Sequence, residues 1–276
     1  MKTTVLDLYR GRLSVWVEDE LSREVLTLLW QDAQINVLVA RGKAGVQALV
    51  GSRPPEFAER VFGIVDRDFD DDNHAMWDQP GCDVLRWPAH ELENLLLDFE
   101  ALSQISSRES PEQIEARAKA RAEALRAWMA CKSVLRELHN ELGAEFPTDP
   151  RQDLPSLHAA EEHLSLARYW TQHTASFSRW NDPQTRRSAL IAADTRLKDE
   201  LQSGAWCLTF SGKEIFRHLR SHVPGLDRTP KRPPQPTPAD RELNVAKLLC
   251  ERLRSTGRIP PPVTRLRDVL RRRAKL

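Results

Sequence analysis

The strongest constraint on this chain is a set of short apolar runs in its first hundred residues, separated by stretches with helical spacing. Leu13 to Val17 (LSVWV), Ile35 to Val39 (INVLV), Val61 to Val65 (VFGIV) and Val84 to Trp87 are apolar throughout rather than alternating. That is the pattern of strands buried on both faces. Between them, Leu21 to Trp30 places Leu21, Val25, Leu28 and Leu29 on one helical side. Arg41-Gly42-Lys43 turns the chain into a second helical stretch, Ala44 to Val50, which ends near Gly51-Ser52. Glu91 to Leu97 follows the fourth run as a further helix. A β-α-β-α-β order of this kind predicts an α/β fold, a parallel sheet with helices on both faces.

From about Ser106 the strand signal stops. Ser110-Pro111-Glu112 is a helix start, with serine as N-cap and proline at the first helical position. It opens a long Ala/Arg/Glu/Leu-rich helix that runs to about Leu142 and closes at Gly143. Shorter helices are expected near Ser156 to Arg179, Pro183 to Leu201 and Lys213 to Ser221. A proline-rich segment at 224–238, containing PKRPPQPTP, reads as a stiff connector or surface loop. A last helix from Asp240 to Ser255 leads into a basic tail from Arg265 to Lys275. The expected division is therefore a sheet domain at 1–105 and a helical accessory domain at 106–276, with no internal repeat.

The totals of 41 Lys+Arg and 40 Asp+Glu hide an asymmetry. Residues 1–100 hold 10 basic and 19 acidic side chains, the remainder 31 and 21. An acidic half suits cations and a basic half suits a polyanion. Nine basic residues between Arg252 and Lys275, among them Arg271, Arg272 and Arg273, mark a candidate phosphate-contacting tail. The plainer alternative is a solvated amphipathic helix, and no interleaved aromatics support single-strand stacking there. The four cysteines, Cys82, Cys131, Cys207 and Cys250, are too scattered for a zinc cluster or a disulfide framework. No apolar run approaches the ~20 residues of a membrane span, and the N-terminal residues lack a signal-peptide stretch, so a cytoplasmic chain is expected.

Acids cluster directly after three of the four strands. Glu18 follows Val17, Asp66-Arg67-Asp68-Phe69-Asp70 follows Val65, and His90-Glu91-Leu92-Glu93 lies just beyond Trp87. In open parallel sheets ligands bind beyond the carboxyl ends of the strands, so acids there carry more meaning than acids elsewhere. Hard oxygen donors suit Mg²⁺ or Mn²⁺, which are shared with phosphate oxygens. Asp66 and Asp68, two apart after a strand, face one side if the backbone stays extended. Glu18 has an alternative as an acid favoured at a helix start, and Glu91 competes with Glu93. His90 reads as a cap or packing residue. Asp70-Asp71-Asp72 reads as a solvated loop.

These positions carry a family resemblance. Glu18 in VWVEDE, Asp66 and Asp68 in GIVDRDFD, and Glu93 in HELENLL resemble the Toprim fold as it occurs in a Toprim-like family of unknown-function bacterial proteins. That family is related to the overcoming-lysogenization-defect nucleases and to the nuclease subunit of the PARIS phage-defence system. The resemblance covers about residues 10–100. It implies a Toprim core, a Rossmann-like parallel sheet with flanking helices, in which the glutamate and the D-x-D pair hold Mg²⁺ or Mn²⁺ and the residue matching Glu93 completes the site. Two basic positions also match: Lys43 in a G-K turn, and Lys213 in FSGKEIF, which would reach the scissile phosphate if the helical half folds back. One departure is Asp19, where the family usually has glycine.

The leading expectation is therefore a metal-dependent Toprim endonuclease. Its metal ligands and catalytic residues would be Glu18, Asp66, Asp68 and Glu93, with Lys213 also catalytic, and Lys43 and Arg271 to Arg273 on nucleic acid. DNA or RNA, transfer RNA included, would be the substrate. The resemblance implies a role in anti-phage defence with an ATPase partner; no GxxxxGK[ST] pattern is present in this chain, so ATP hydrolysis would come from that partner. A homo-oligomer is compatible with this reading. The rival is a non-catalytic Toprim-like sensor or regulatory subunit bound to an ATPase. A topoisomerase- or primase-like enzyme is disfavoured, since Tyr9 and Tyr169, the only tyrosines, sit in no recognisable motif.

Overall fold

The computed structural model describes residues 12–68, 81–142, 154–165, 180, 182–227 and 237–276. Tyr9, Asp70 to Asp72, Gly143, Tyr169, the 166–179 part of the helix expected from Ser156 and the 228–236 part of the proline-rich segment lie outside those residues.

The protein is an α/β fold, mostly helical, whose described sheet has four parallel strands: β1 (Leu13–Val17), β2 (Ile35–Val39), β3 (Val61–Val65) and β4 (Val84–Arg86). They lie in the order β2-β1-β3-β4, with Val17 beside Val39 on one side and Ile64 on the other. Every residue of the central β1 and β3 is buried, whereas the edge strands are partly exposed. Burying a Val, Leu or Phe side chain contributes ~1.5–3 kcal/mol.

Helix α1 (Glu20–Trp30) follows β1 and α2 (Lys43–Gly51) follows β2. Asp19 caps α1, its side chain accepting from the Ser22 N–H at 2.8 Å. An aspartate is among the residues preferred at that position, because its side chain satisfies one of the helix's free N–H groups. On one face of the sheet Trp16, Val61 and Val65 pack with Val46 and Val50 of α2. Gly63 permits this approach, because a Cβ there would stand 2.4 Å from Val46 Cγ1.

The chain divides into two compact units, Met1–Glu115 with Gly212–Leu276, and Ala116–Ser211. The expected boundary at 105/106 does not coincide with this division, because the last 65 residues, Gly212–Leu276, return to the sheet unit. After β4 that unit holds α3 (Leu92–Leu95) and α4 (Phe99–Ser106). The second unit is formed by residues 116–142 of α5 (Pro111–Leu142), with α6 (Leu157–Leu164), α7 (Pro183–Ser203) and α8 (Trp206–Thr209). There Arg126 Nε pairs with Asp194 Oδ1 at 2.8 Å and Trp180 Nε1 donates to Glu141 Oε2 at 2.7 Å.

The returning helices are α9 (Gly212–His222), α10 (Pro238–Ser255) and α11 (Pro261–Arg273). Helix α9 lies against α3, and α10 lies against α1 and α4 through a buried stripe that includes Val245, Leu249 and Leu253. The stretch expected as a basic tail is α11, tied to α1 where Trp30 Nε1 donates to the Val263 carbonyl at 2.9 Å. Arg273 lies over the Phe62 ring, 4.7 Å from its centroid, on the sheet face opposite α2. Helical patterning reveals an apolar stripe but not its neighbour, which is why the sequence assigns these helices to another domain. No described helix is long and apolar enough to cross a membrane.

Candidate metal centre

The strand order reverses between β1 and β3, so the loops leaving their carboxyl ends diverge and open a crevice. Glu18 and Asp66 are the first residues beyond those two ends. The Asp66 N–H donates to Glu18 Oε1 at 2.7 Å, and the Leu92 N–H at the start of α3 donates to Asp66 Oδ1 at 3.1 Å. One carboxylate thus orders the next strand end, and that one orders the helix after β4. Asp68 departs from the extended geometry that would align it with Asp66: its φ is 51°, in the left-handed region. Its N–H donates to the His90 carbonyl at 2.9 Å and its Oδ2 pairs with Lys43 Nζ at 2.9 Å.

The other wall comes from α3 and α9. Glu91 precedes α3, with its N–H donating to Asn94 Oδ1 at 2.8 Å, and its Oε2 accepts from the Lys213 N–H at 2.7 Å. A carboxylate at the N-terminus of α9 is favourably placed against the exposed N–H groups there. Gly212 lets α9 approach α3 so closely that a Cβ would meet the Asn94 nitrogen at 2.5 Å. That docking carries Lys213 Nζ to 3.8 Å from Asp19 Oδ2 and 3.9 Å from Glu93 Oε1. Neither distance is a hydrogen bond. Glu93 is 2% exposed and its Oε1 has no hydrogen-bond partner among the described residues.

The electrostatics follow from crowding acids out of water. Burial raises Glu18, only partly opposed by the Asp66 N–H and Lys43. Burial raises Asp66 well above the usual carboxylate range, with the charges of Glu93, Glu91 and Glu18 adding to it. Burial also pushes Glu93 up to about 8, against the pull of Lys213. For Lys213 burial works downward, but Glu93, Glu91, Asp19 and Asp66 more than offset it and hold the ammonium above its ordinary value. Acids that repel one another in a dry crevice are an arrangement a divalent cation would relieve.

The structure thus brings Glu18, Asp66, Asp68, Glu93, Lys43 and Lys213 to one end of the sheet. The tightest group of ligating atoms among the described residues is a different one, Asp68, His90 and Glu91, whose donor atoms lie within 4.8 Å of one another. On sequence His90 reads as a cap or packing residue and Glu91 as the competitor of Glu93; both lie in the turn between the fourth strand, Val84–Arg86, and α3. The signal that would have promoted them is their position before a helix of only four residues, which holds Glu91 at the crevice as its N-cap. Arg271 to Arg273 lie elsewhere and are engaged differently. Arg271 binds Asp32 and Gln34, Arg273 binds Asp83 and the Cys82 carbonyl, and Arg272 alone of the three is exposed. In comparisons with known proteins, no family model, no curated protein and no solved structure matched the chain.

Proposed function

We propose that this chain is a Mg²⁺- or Mn²⁺-dependent phosphodiesterase that cleaves nucleic acid, built on a Toprim-like core. The observation that supports it most is the convergence of Glu18, Asp66, Asp68, Glu91 and Glu93 at the switch point of a parallel sheet, with Lys213 delivered to the same crevice. The residues fit a divalent cation: Glu93 keeps a buried oxygen without a donor among the described residues, and burial and mutual repulsion raise Glu18, Asp66 and Glu93 together. Glu18, Asp66 and Asp68 from the strand ends, with His90, Glu91 and Glu93 from the facing turn, would hold the ion. When bound, it supplies Lewis acidity toward a phosphoryl oxygen. Lys213, whose Nζ makes no hydrogen bond among the described residues, offers its donors to a phosphate oxygen. Lys43, already seated on Asp68, supplies a second positive charge at the rim. The ATPase partner and the role in anti-phage defence rest on the resemblance of the acidic positions alone.

The test is cleavage of plasmid DNA and of transfer RNA in Mn²⁺, with and without a neighbouring ATPase. Asp66→Ala and Glu18→Ala are expected to lower the rate by about 10³-fold, the scale of several kcal/mol of lost charge stabilisation, with the circular dichroism spectrum unchanged. Full activity in a folded Glu18→Ala/Asp66→Ala double variant would overturn the reading.

A further inference from the structure

A cavity of about 290 Å³ opens beside Lys213, between the start of α1, the start of α9 and the first turns of α10. It is at the small end of the ~300–1,000 Å³ range of small-molecule sites, so it suits one nucleotide-sized group and not a length of strand. Leu21, Ala239 and Leu243 give it apolar surface. Its polar lining is mixed, and most of it is already engaged. Asp19 accepts from the Ser22 N–H, Asp240 accepts from Thr237, and Arg217 donates to Glu214 and to Glu242 Oε2.

What remains has a definite chemistry. Glu242 is 8% exposed and its Oε1 has no hydrogen-bond partner among the described residues, and Glu93 Oε1, in the same lining, is in the same condition. Lys213 Nζ stands 3.8 and 3.9 Å from its two carboxylates and so has donors to give. A simple anion entering here meets Glu93 and Glu242, and a simple cation meets Lys213 and Arg217. A group with an anionic end and a hydrogen-bond donor at the other end satisfies both sets.

We propose that the cavity holds one nucleotide of the bound strand, its phosphate on Lys213 and the exocyclic amino group of its base donating to Glu242. Guanine, adenine and cytosine carry such a group. Uracil and thymine place carbonyl oxygens on both sides of their only ring N–H, which a carboxylate repels. Carboxylate acceptance from a base amine is an established form of base readout. This assignment rests on the nucleic-acid reading above and adds a base preference to it.

The experiment titrates the four ribonucleoside 5′-monophosphates, to millimolar concentration, into the full chain in EDTA, with calorimetry as the readout. The amino-bearing three are expected to bind about tenfold more tightly than uridine monophosphate. Glu242→Gln is expected to remove that difference, weakening the amino-bearing three and tightening uridine monophosphate, whose carbonyls no longer meet a carboxylate. Ala239→Phe, at an exposed position in the lining, fills the cavity without entering the core and is expected to weaken all four. Equal binding of the four bases, no binding at all, or a full preference retained in both variants would overturn the proposal. The two readings fail separately. A base preference in a chain that never cleaves in Mn²⁺ removes the nuclease reading alone, whereas cleavage with no base preference removes only this one.

Discussion

Two charged regions of the sheet unit have opposite economies. In α11 and its flank the basic groups have found acids: Arg271 meets Asp32, Arg273 meets Asp83, and Lys275 meets Glu59. Desolvation works to raise Asp32, yet the Gln34 N–H and the Arg271 guanidinium hold it below its ordinary value. At the carboxyl ends of β1 and β3 the acids outnumber their partners, and Glu18, Asp66 and Glu93 are all raised. Matched charges hold a helix in place. Mismatched ones, kept together by a sheet stable enough to tolerate them, leave interaction capacity for something that is not part of the chain.

The sharpest way to break this contrast is to remove Lys213, the cation 3.8 and 3.9 Å from two carboxylates of the crevice. Lys213→Ala is expected to reduce Mn²⁺-dependent cleavage by about 10²-fold, the scale of losing one aimed electrostatic donor, in variant protein shown to be folded by circular dichroism. An unchanged rate would show that the ammonium does not face the substrate. The corresponding change in the matched region should do the reverse. Arg273→Ala loses two hydrogen bonds and the contact with Phe62, and is expected to destabilise the fold by about 2 kcal/mol in denaturant melts while leaving the cleavage rate of the folded protein intact. Arg272→Ala is the control, with stability expected within ~0.5 kcal/mol of the parent.

The mismatched region also carries a pH dependence. The ordinary pKa of Glu93 is 4.5 and the folded value is about 8. Between those limits the folded chain keeps a proton that the unfolded chain has released, so stability falls as pH rises through the window. Asp66 contributes in the same direction. In EDTA the melting temperature is expected to decline from about pH 4.5 to about pH 8, and Glu93→Gln to show a shallower decline and to melt a few degrees higher at pH 8. Equal slopes in parent and variant would exclude Glu93 as a source.

Much of the sheet was legible because strand signals are local. The expected limits of β1, β2 and β3 coincide with those of the structure, and the acids after them needed only the rule that parallel strands present their carboxyl ends to ligands. What escaped the sequence depends on distant contacts. Nothing near Arg271 or Arg273 announces Asp32 or Asp83, so the segment read as a free basic tail. The left-handed turn at Asp68 redirects a carboxylate that the D-x-D spacing alone would aim beside Asp66. Glu91 and Glu93 differ by two positions in one motif, and their separate roles follow from the docking of α9, some 120 residues later.

The close fit of Gly212 against Asn94 has a consequence for how the protein is made. Every acid of the crevice has been synthesised by residue 95, but Lys213 is added only after the whole of Ala116–Ser211. At about 5–20 residues per second that gap lasts several seconds or more. A nascent chain therefore passes through a stage in which Lys43 is the ammonium beside the repelling carboxylates, and Lys213 joins the centre late, after the residues of the intervening unit exist.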